Sequence, residues 1–217
     1  MPDYAARRTM MVDTQIRPSD VTKFPIIDTF LSVPREQFVP AAQREAAYMG
    51  ENIAIAPGRV VREPRTLAKI LDTLDVQPHE LVLDIGTGRG YSAAVLSRLG
   101  EVVVAVEEDD TFAAEAETAL SEFGADNVIL VHAPLAEGAP KHGPYDAIVV
   151  QGGVETIPPA VLDQLKEGGR IAAVFMEGAL GVCRIGYMVD GTVSWRFAVN
   201  AGAPVLQGYT SASDFVF

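Results

Sequence analysis

Three glycines at alternate positions, Gly86, Gly88 and Gly90, follow the apolar run Leu81-Val82-Leu83-Asp84-Ile85 and lead into the helical stretch from Ser92. A strand joined to a helix by such a turn lets a ligand approach the backbone, because a Cβ would block it. The spacing is not that of a dinucleotide fingerprint: counted from Gly86, the third glycine of GxGxxG falls on Tyr91. Asp84 narrows the ligand further. A carboxylate two residues before the first glycine opposes a pyrophosphate and attracts a cation; a unit charge at 4 Å is worth ~4 kcal/mol at an effective dielectric of 20.

S-adenosylmethionine meets that preference, since its methionyl part carries an ammonium and a sulfonium and it has no phosphate. Glu107 ends the next apolar run, Val102–Val106, about 20 residues past Gly86. That is where an acidic side chain meets ribose hydroxyls. Glu108 reads as a solvated neighbour. The alternative is that Asp84 and Glu107 are polar strand ends and the glycines only make turns; the order strand, turn, helix, acid argues against it.

The elements needed to position these groups are legible from Thr66 onward. Apolar spacing predicts helices over Thr66–Leu74, Ser92–Leu99, Thr111–Phe123 and Pro159–Leu165, the last stopped by Gly168-Gly169. Strands are predicted at Leu81–Ile85, Val102–Val106, Val128–Val131, Ala147–Val150 and Arg170–Phe175. This alternation demands a mostly parallel, doubly covered α/β sheet. Val182–Val189 and Thr192–Val199, joined by Asp190-Gly191, predict an antiparallel hairpin that finishes it. Residues 1–65 read as an N-terminal helical and loop cap on the substrate side, and 66–217 as the ligand-binding α/β domain, together one compact unit.

Composition removes other classes. The 217 residues are 48% hydrophobic and carry a formal charge of −12, a field that repels nucleic acid and anionic membranes. The cap holds nine basic and eight acidic residues, so the negative charge belongs to the remainder. No apolar run reaches the ~20 residues of a membrane span, and the start lacks a signal peptide's apolar stretch, so a cytoplasmic location is expected. His79, His132 and His142 lie far apart, and Cys183 sits in an apolar strand; no metal site is expected.

Motifs throughout the chain resemble the protein-L-isoaspartate (D-aspartate) O-methyltransferase family. They are Val33-Pro34-Arg35-Glu36-Gln37-Phe38-Val39-Pro40, Ala47-Tyr48, Gly58 to Pro64, Asp84 to Tyr91, Tyr145 to Val150, and Ile157 to Arg170. The resemblance implies a Rossmann-like class I methyltransferase fold and a monomer that uses S-adenosylmethionine. It also implies methylation of the α-carboxylate of isoaspartyl residues in damaged proteins, so that a succinimide can reform. Carried over residue by residue, it places Asp84, Gly86, Thr87, Gly88, Gly90, Glu107, Pro134, Leu135 and Gln151 at the cofactor, and Arg59, Val60, Val61 and Arg62 at the substrate. No residue is assigned as catalytic: an isoaspartyl carboxylate is ionised at neutral pH and needs no general base.

Two segments depart from the family pattern. Where the family has a hydroxyl-rich GQTIS-type stretch, this chain has Gly58-Arg59-Val60-Val61-Arg62, with Val60 in place of the threonine and Arg62 in place of the serine. Where it has GDG after the third strand, this chain has Ala133-Pro134-Leu135, and Pro134 has no N–H to offer adenine. Arg59 and Arg62 admit two readings: partners of a substrate carboxylate, or surface cations paired with Glu63 or Glu51. The altered segment predicts poor methylation of an ordinary isoaspartyl peptide; the alternative function is a paralogue that binds the cofactor but has another acceptor or only a regulatory role.

Overall fold

A computed structural model describes residues 3–211. The chain opens with α1 (Tyr4–Met11) and α2 (Phe24–Ser32), joined and followed by short 3-10 and π turns. A two-stranded antiparallel ribbon comes next, β1 (Ile53–Ala56) and β2 (Arg59–Val61), turning at Gly58 with φ +73°. The sequence predicts only helices and loops here; two strands of four and three residues are too short for a period-2 signal. α3 (Pro64–Leu74) buries Leu67, Ile70, Leu71 and Leu74, the apolar face its spacing predicts.

The α/β portion follows as β3 (Leu81–Ile85), α4 (Tyr91–Leu96), β4 (Val102–Glu107), α5 (Asp110–Phe123), β5 (Val128–His132), β6 (Tyr145–Val154), α6 (Pro159–Leu162), β7 (Leu165–Glu177), β8 (Leu180–Val189) and β9 (Thr192–Asn200). The seven strands lie in the order β5-β4-β3-β6-β7-β8-β9. The first five are parallel, and β8 and β9 close the sheet as the expected antiparallel hairpin. From β3 the chain moves to one side of the sheet and from β6 to the other. The crevice beyond the carboxyl ends of these neighbours is therefore the topological switch point, where open α/β sheets take their ligands.

Side-chain alternation divides the core in two. Val82, Val103, Ala105, Ala147 and Val149 face a cluster that includes α3, α4 and the buried residues of α1 and α2. Leu83, Ile85, Val104, Val106 and Ile148 face the other side, covered by Leu135, Val161, Leu206 and Tyr209. The first 65 residues thus share a core with one face of the sheet. Asp84 and Glu107 continue the alternation of that first face, so both carboxylates emerge on the side where the N-terminal segment lies.

Two expectations need correction. The helix expected over Pro159–Leu165 ends at Leu162, and the Gly168-Gly169 pair does not stop a helix; it lies inside β7. Tyr145 pairs with Leu165 and Ala147 with Arg170, so three extra β7 residues bulge out, a conformation that Gly168 permits with φ +76°. The helix expected to Leu99 ends at Leu96. Among the described residues, no helix is long and apolar enough to cross a membrane.

Candidate functional site

The glycine turn is pinned to β4: the amides of Gly86 and Thr87 donate to the Val106 carbonyl at 2.9 and 3.3 Å. Gly86, Gly88 and Gly90 all have positive φ, but they serve different ends. A Cβ on Gly88 would meet Ile55 Cδ1 of β1 at 2.9 Å, and one on Gly86 would touch Leu206 and Leu135 at 3.4 and 3.5 Å. These two keep space between the turn and the segments above it. Gly90 instead packs against Ala116 and Leu120 of α5 at 3.2–3.4 Å. Gly90, expected at the cofactor, is thus also where the turn lies close against α5.

Asp84 is fully buried. Ser92 Oγ and the Gln151 side-chain amide donate to its two oxygens, each at 2.6 Å, and Thr87 lies buried beside Ser92. No described cation pairs with it. Burial pushes its pKa up to about 6 against the pull of these hydrogen bonds. A buried carboxylate of this kind, at the foot of a glycine turn, can meet a positive group.

Glu107 is equally buried but fully engaged. Its Oε2 accepts the Gly88 amide at 2.7 Å, and its Oε1 accepts the amides of Glu108 and Asp109 at 3.0 and 3.1 Å. Arg59 reaches down from β2 and closes a fork on both oxygens, at 2.9 and 2.5 Å, while its guanidinium rests over the Phe112 ring. The sequence reading offered Glu63 or Glu51 as structural partners for Arg59; the structure pairs it with Glu107 instead. A cavity of about 890 Å³ with a mixed polar and apolar lining opens beside this pair, lined by Arg59, Phe112, His132, Ala133, Pro134 and Leu206, within the range of small-molecule sites. Leu135 lies behind its wall, fully buried, with its carbonyl taken by the Tyr209 hydroxyl. Leu135, expected at the cofactor, packs its side chain into the core here.

Arg62 does not pair with Glu63 or Glu51 either. It is 3% exposed. Its Nη2 donates to the carbonyls of Val150 and Gly152 at 3.2 and 3.4 Å, whereas Nε and Nη1 are buried without a partner. Those carbonyls are free because β6 bulges there: Val149 pairs with Ala172 but Gly153 with Val174, leaving two extra residues between. Arg62 is held in place through Arg35 of the Val33–Pro40 block. Arg35 is fully buried, stacks on the Tyr91 ring at 4.6 Å, and donates to the carbonyls of Ala47 and Arg62 at 2.7 and 2.8 Å. Val60, Val61, Arg62, Gly86, Thr87 and Gln151 meet around a small enclosed space at this point.

The sequence reading missed two parts of this site. One is the β1–β2 ribbon that carries both arginines. The other is the tail after β9, whose Leu206 amide donates to the Gly153 carbonyl at 2.9 Å and whose Val205, Leu206 and Gln207 line the large cavity. No periodicity marks such a tail; its only signal is Gly152-Gly153, where a Cβ would run into Leu206 and the Ala203 carbonyl.

The family model described as protein-L-isoaspartate(D-aspartate) O-methyltransferase matches residues 6–179. The chain belongs to this family. Relatives bearing the name protein-L-isoaspartate O-methyltransferase include one from Pelotomaculum thermopropionicum, 35% identical over 78% of this chain and 74% of its own. Another, from Pelobacter propionicus, is 34% identical over 91% of both chains. A solved protein-L-isoaspartate O-methyltransferase superposes with a TM-score of 0.82 at 25% identity, covering 94% of this chain and 67% of its own. A beta-aspartate methyltransferase from Plasmodium falciparum, solved with S-adenosyl-L-homocysteine, shares the fold at a TM-score of 0.79 and 17% identity, over 96% and 100% of the two chains. The fold is that of class I methyltransferases, as the family resemblance implies, built on the mostly parallel sheet that the strand alternation predicts.

Proposed function

We propose that this family member transfers a methyl group from S-adenosylmethionine to the α-carboxylate of isoaspartyl residues in protein substrates. The observation that carries the reading is Asp84, a fully buried carboxylate with no ion-pair partner among the described residues, at the foot of a turn whose Gly86 and Gly88 hold positive φ. When bound, S-adenosylmethionine supplies an electrophilic methyl group on a sulfonium. Asp84 would hold its ammonium, with Ser92 and Gln151 fixing the carboxylate. Glu107 would take ribose hydroxyls in the place Arg59 now fills, and the cavity beside Pro134 has room for an adenine.

The acceptor side fits this chemistry by what it lacks. The nearest histidine, His132, is exposed on the far wall of the large cavity and bonds to the Glu108 carbonyl. An ionised carboxylate needs no base, so alignment of two reactants in a site closed to water is the task, worth ~7–11 kcal/mol in favourable cases. A paralogue that only binds is not favoured, because the family match spans turn, strands and acceptor segment alike.

Radiolabelled methyl transfer tests the proposal. Base-labile label should enter an isoaspartyl peptide and not its aspartyl counterpart, and calorimetry should show S-adenosylhomocysteine but not NADH binding. Failure to bind S-adenosylhomocysteine would overturn it.

A further inference from the structure

Arg62 supplies an observation that methyl transfer alone does not account for. Its Nε and Nη1 carry three N–H donors with no protein acceptor in a place sealed from solvent. A buried guanidinium left without an anion is costly, and such groups are normally paired. The surrounding groups do not supply that anion. Asp84 makes no ion pair with Arg62: its hydrogen bonds come from Ser92 and Gln151. The Cys183 thiol, pushed up to about 11 by burial, stays protonated. Glu63 turns its carboxylate to Thr66 and Arg65. The position is equally specific, since Arg62 hangs from the β6 bulge at the switch point, bordering the enclosed space shared with Gly86 and Gln151.

We propose that Arg62 is the specificity-determining residue for the methyl acceptor, binding one oxygen of its carboxylate while the other attacks. This rests on the methyltransferase reading of the site. The enclosed space holds only about 10 Å³, room for about one water, so a carboxylate enters only as Val60 and the β1–β2 ribbon give way. Attack forms a bond between the free oxygen and the methyl carbon as the carbon–sulfur bond breaks. The electron pair stays on sulfur, and no proton moves. The acceptor loses its charge in the step, so an ion pair with two ionised partners becomes a hydrogen bond from the guanidinium to a neutral ester oxygen, which is weaker. Arg62 thus grips the acid and releases the ester.

The experiment is calorimetric titration of the S-adenosylhomocysteine-loaded protein with a short isoaspartyl peptide and with the same peptide as its methyl ester. The parent chain should prefer the acid by about tenfold or more. Arg62→Gln should lose that preference while keeping S-adenosylhomocysteine affinity. Arg62→Lys, which keeps the charge but fewer donors, should fall between; if Arg62→Gln does not fold, a severalfold reduced preference in Arg62→Lys supports the proposal and an undiminished one overturns it. An unchanged preference in Arg62→Gln overturns the anchor but leaves methyl transfer to isoaspartyl peptide standing. A parent chain that binds S-adenosylhomocysteine yet neither binds nor methylates the isoaspartyl peptide overturns both.

Discussion

Arg59 and Arg62 lie three residues apart at one short strand and meet opposite fates. Arg59 ends on Glu107, in a carboxylate nest that also draws three backbone amides, so every charge there is answered inside the protein. Arg62 ends among carbonyls, with two nitrogens unanswered. The first arrangement is complete without a ligand and must be opened to admit one; the second is incomplete until an anion arrives. On the proposed reading, two arginines of equal standing in the sequence divide the site into a cofactor side that is latched and an acceptor side that is waiting.

The strongest way to break this comparison is at Glu107. Glu107→Gln removes the charge opposite Arg59 and turns an acceptor into a donor facing the amides of Gly88 or of Glu108 and Asp109. Removing one partner of a buried ion pair costs ~3–5 kcal/mol, and Arg59's residual exposure places this case near the lower end. The midpoint of urea unfolding should drop accordingly at unchanged slope, and S-adenosylhomocysteine affinity should fall as well. A loss below about 1 kcal/mol, no more than an exposed pair contributes, would mean that the fork is loose in solution and the latch does not exist.

Asp84 sharpens the contrast because its charge, unlike that of Glu107, is a cost to the free protein. Burial raises its pKa from 3.8 to about 6. The native state therefore binds this proton more tightly than the unfolded chain does. The associated stability is present below about pH 4 and lost as pH rises through 6, amounting to about 3 kcal/mol between those limits. Asp84→Asn should remove this pH dependence and leave the free protein as stable at pH 8 as the parent, or more so. The same substitution should weaken S-adenosylhomocysteine binding by about tenfold, a loss of ~1.4 kcal/mol. Parent affinity should decline as pH falls below 6, and that of the variant should not. Equal pH profiles would show that no cation is held there.

The glycines separate fold from ligand in the same way. Gly88→Ala places a methyl group 2.9 Å from the end of Ile55, a side chain that can move, at φ +59°. It should reduce cofactor affinity more than stability, with strain of ~1–2 kcal/mol. Gly90→Ala meets the Ala116 backbone at 3.4 Å as well as two side chains, so it should be seen first in thermal melting. Reversed effects would exchange the roles of the two positions.

What the sequence showed and what it hid follow from range. The strands β3, β4 and β6 are largely runs of Val, Ile, Leu and Ala whose burial on both faces is written locally, and Asp84 and Glu107 stand out as polar residues at the ends of apolar runs. The partner of Arg59 is 48 residues away and those of Arg62 are 88 and 90 away, so neither pairing leaves a local trace. From sequence, Val60 and Arg62 stand where the family's hydroxyls would meet the substrate, and the double substitution Val60→Thr with Arg62→Ser should then raise activity. The burial of Arg62 without a counter-charge turns that expectation round: the same substitution should now lower methyl transfer to isoaspartyl peptides. The packing of Gly90 on α5 and the burial of Leu135 are hidden for a related reason, since a motif fixes the order of residues but not what each packs against.

The smallest effect belongs to Arg59, and its sign is informative. Glu107 can give its lone pairs to ribose hydroxyls only if the guanidinium withdraws, so cofactor binding must break the fork and recover part of that loss from the hydroxyls. Arg59→Ala frees the carboxylate in advance. The variant should lose about 1–2 kcal/mol of stability, less than Glu107→Gln loses, because Glu107 keeps three amide donors while the removed cation is itself partly exposed. Its S-adenosylhomocysteine affinity should rise severalfold, by up to ~1 kcal/mol, the part of the pair's energy that binding no longer has to overcome. Raising ionic strength should narrow the gap between parent and variant, because salt weakens a partly exposed pair in the parent and has nothing to screen in the variant. If affinity instead falls on removing Arg59, the guanidinium does not block the ribose position but turns onto the bound ligand, and the latched side of the site becomes, like the Arg62 side, one that is completed by what it binds.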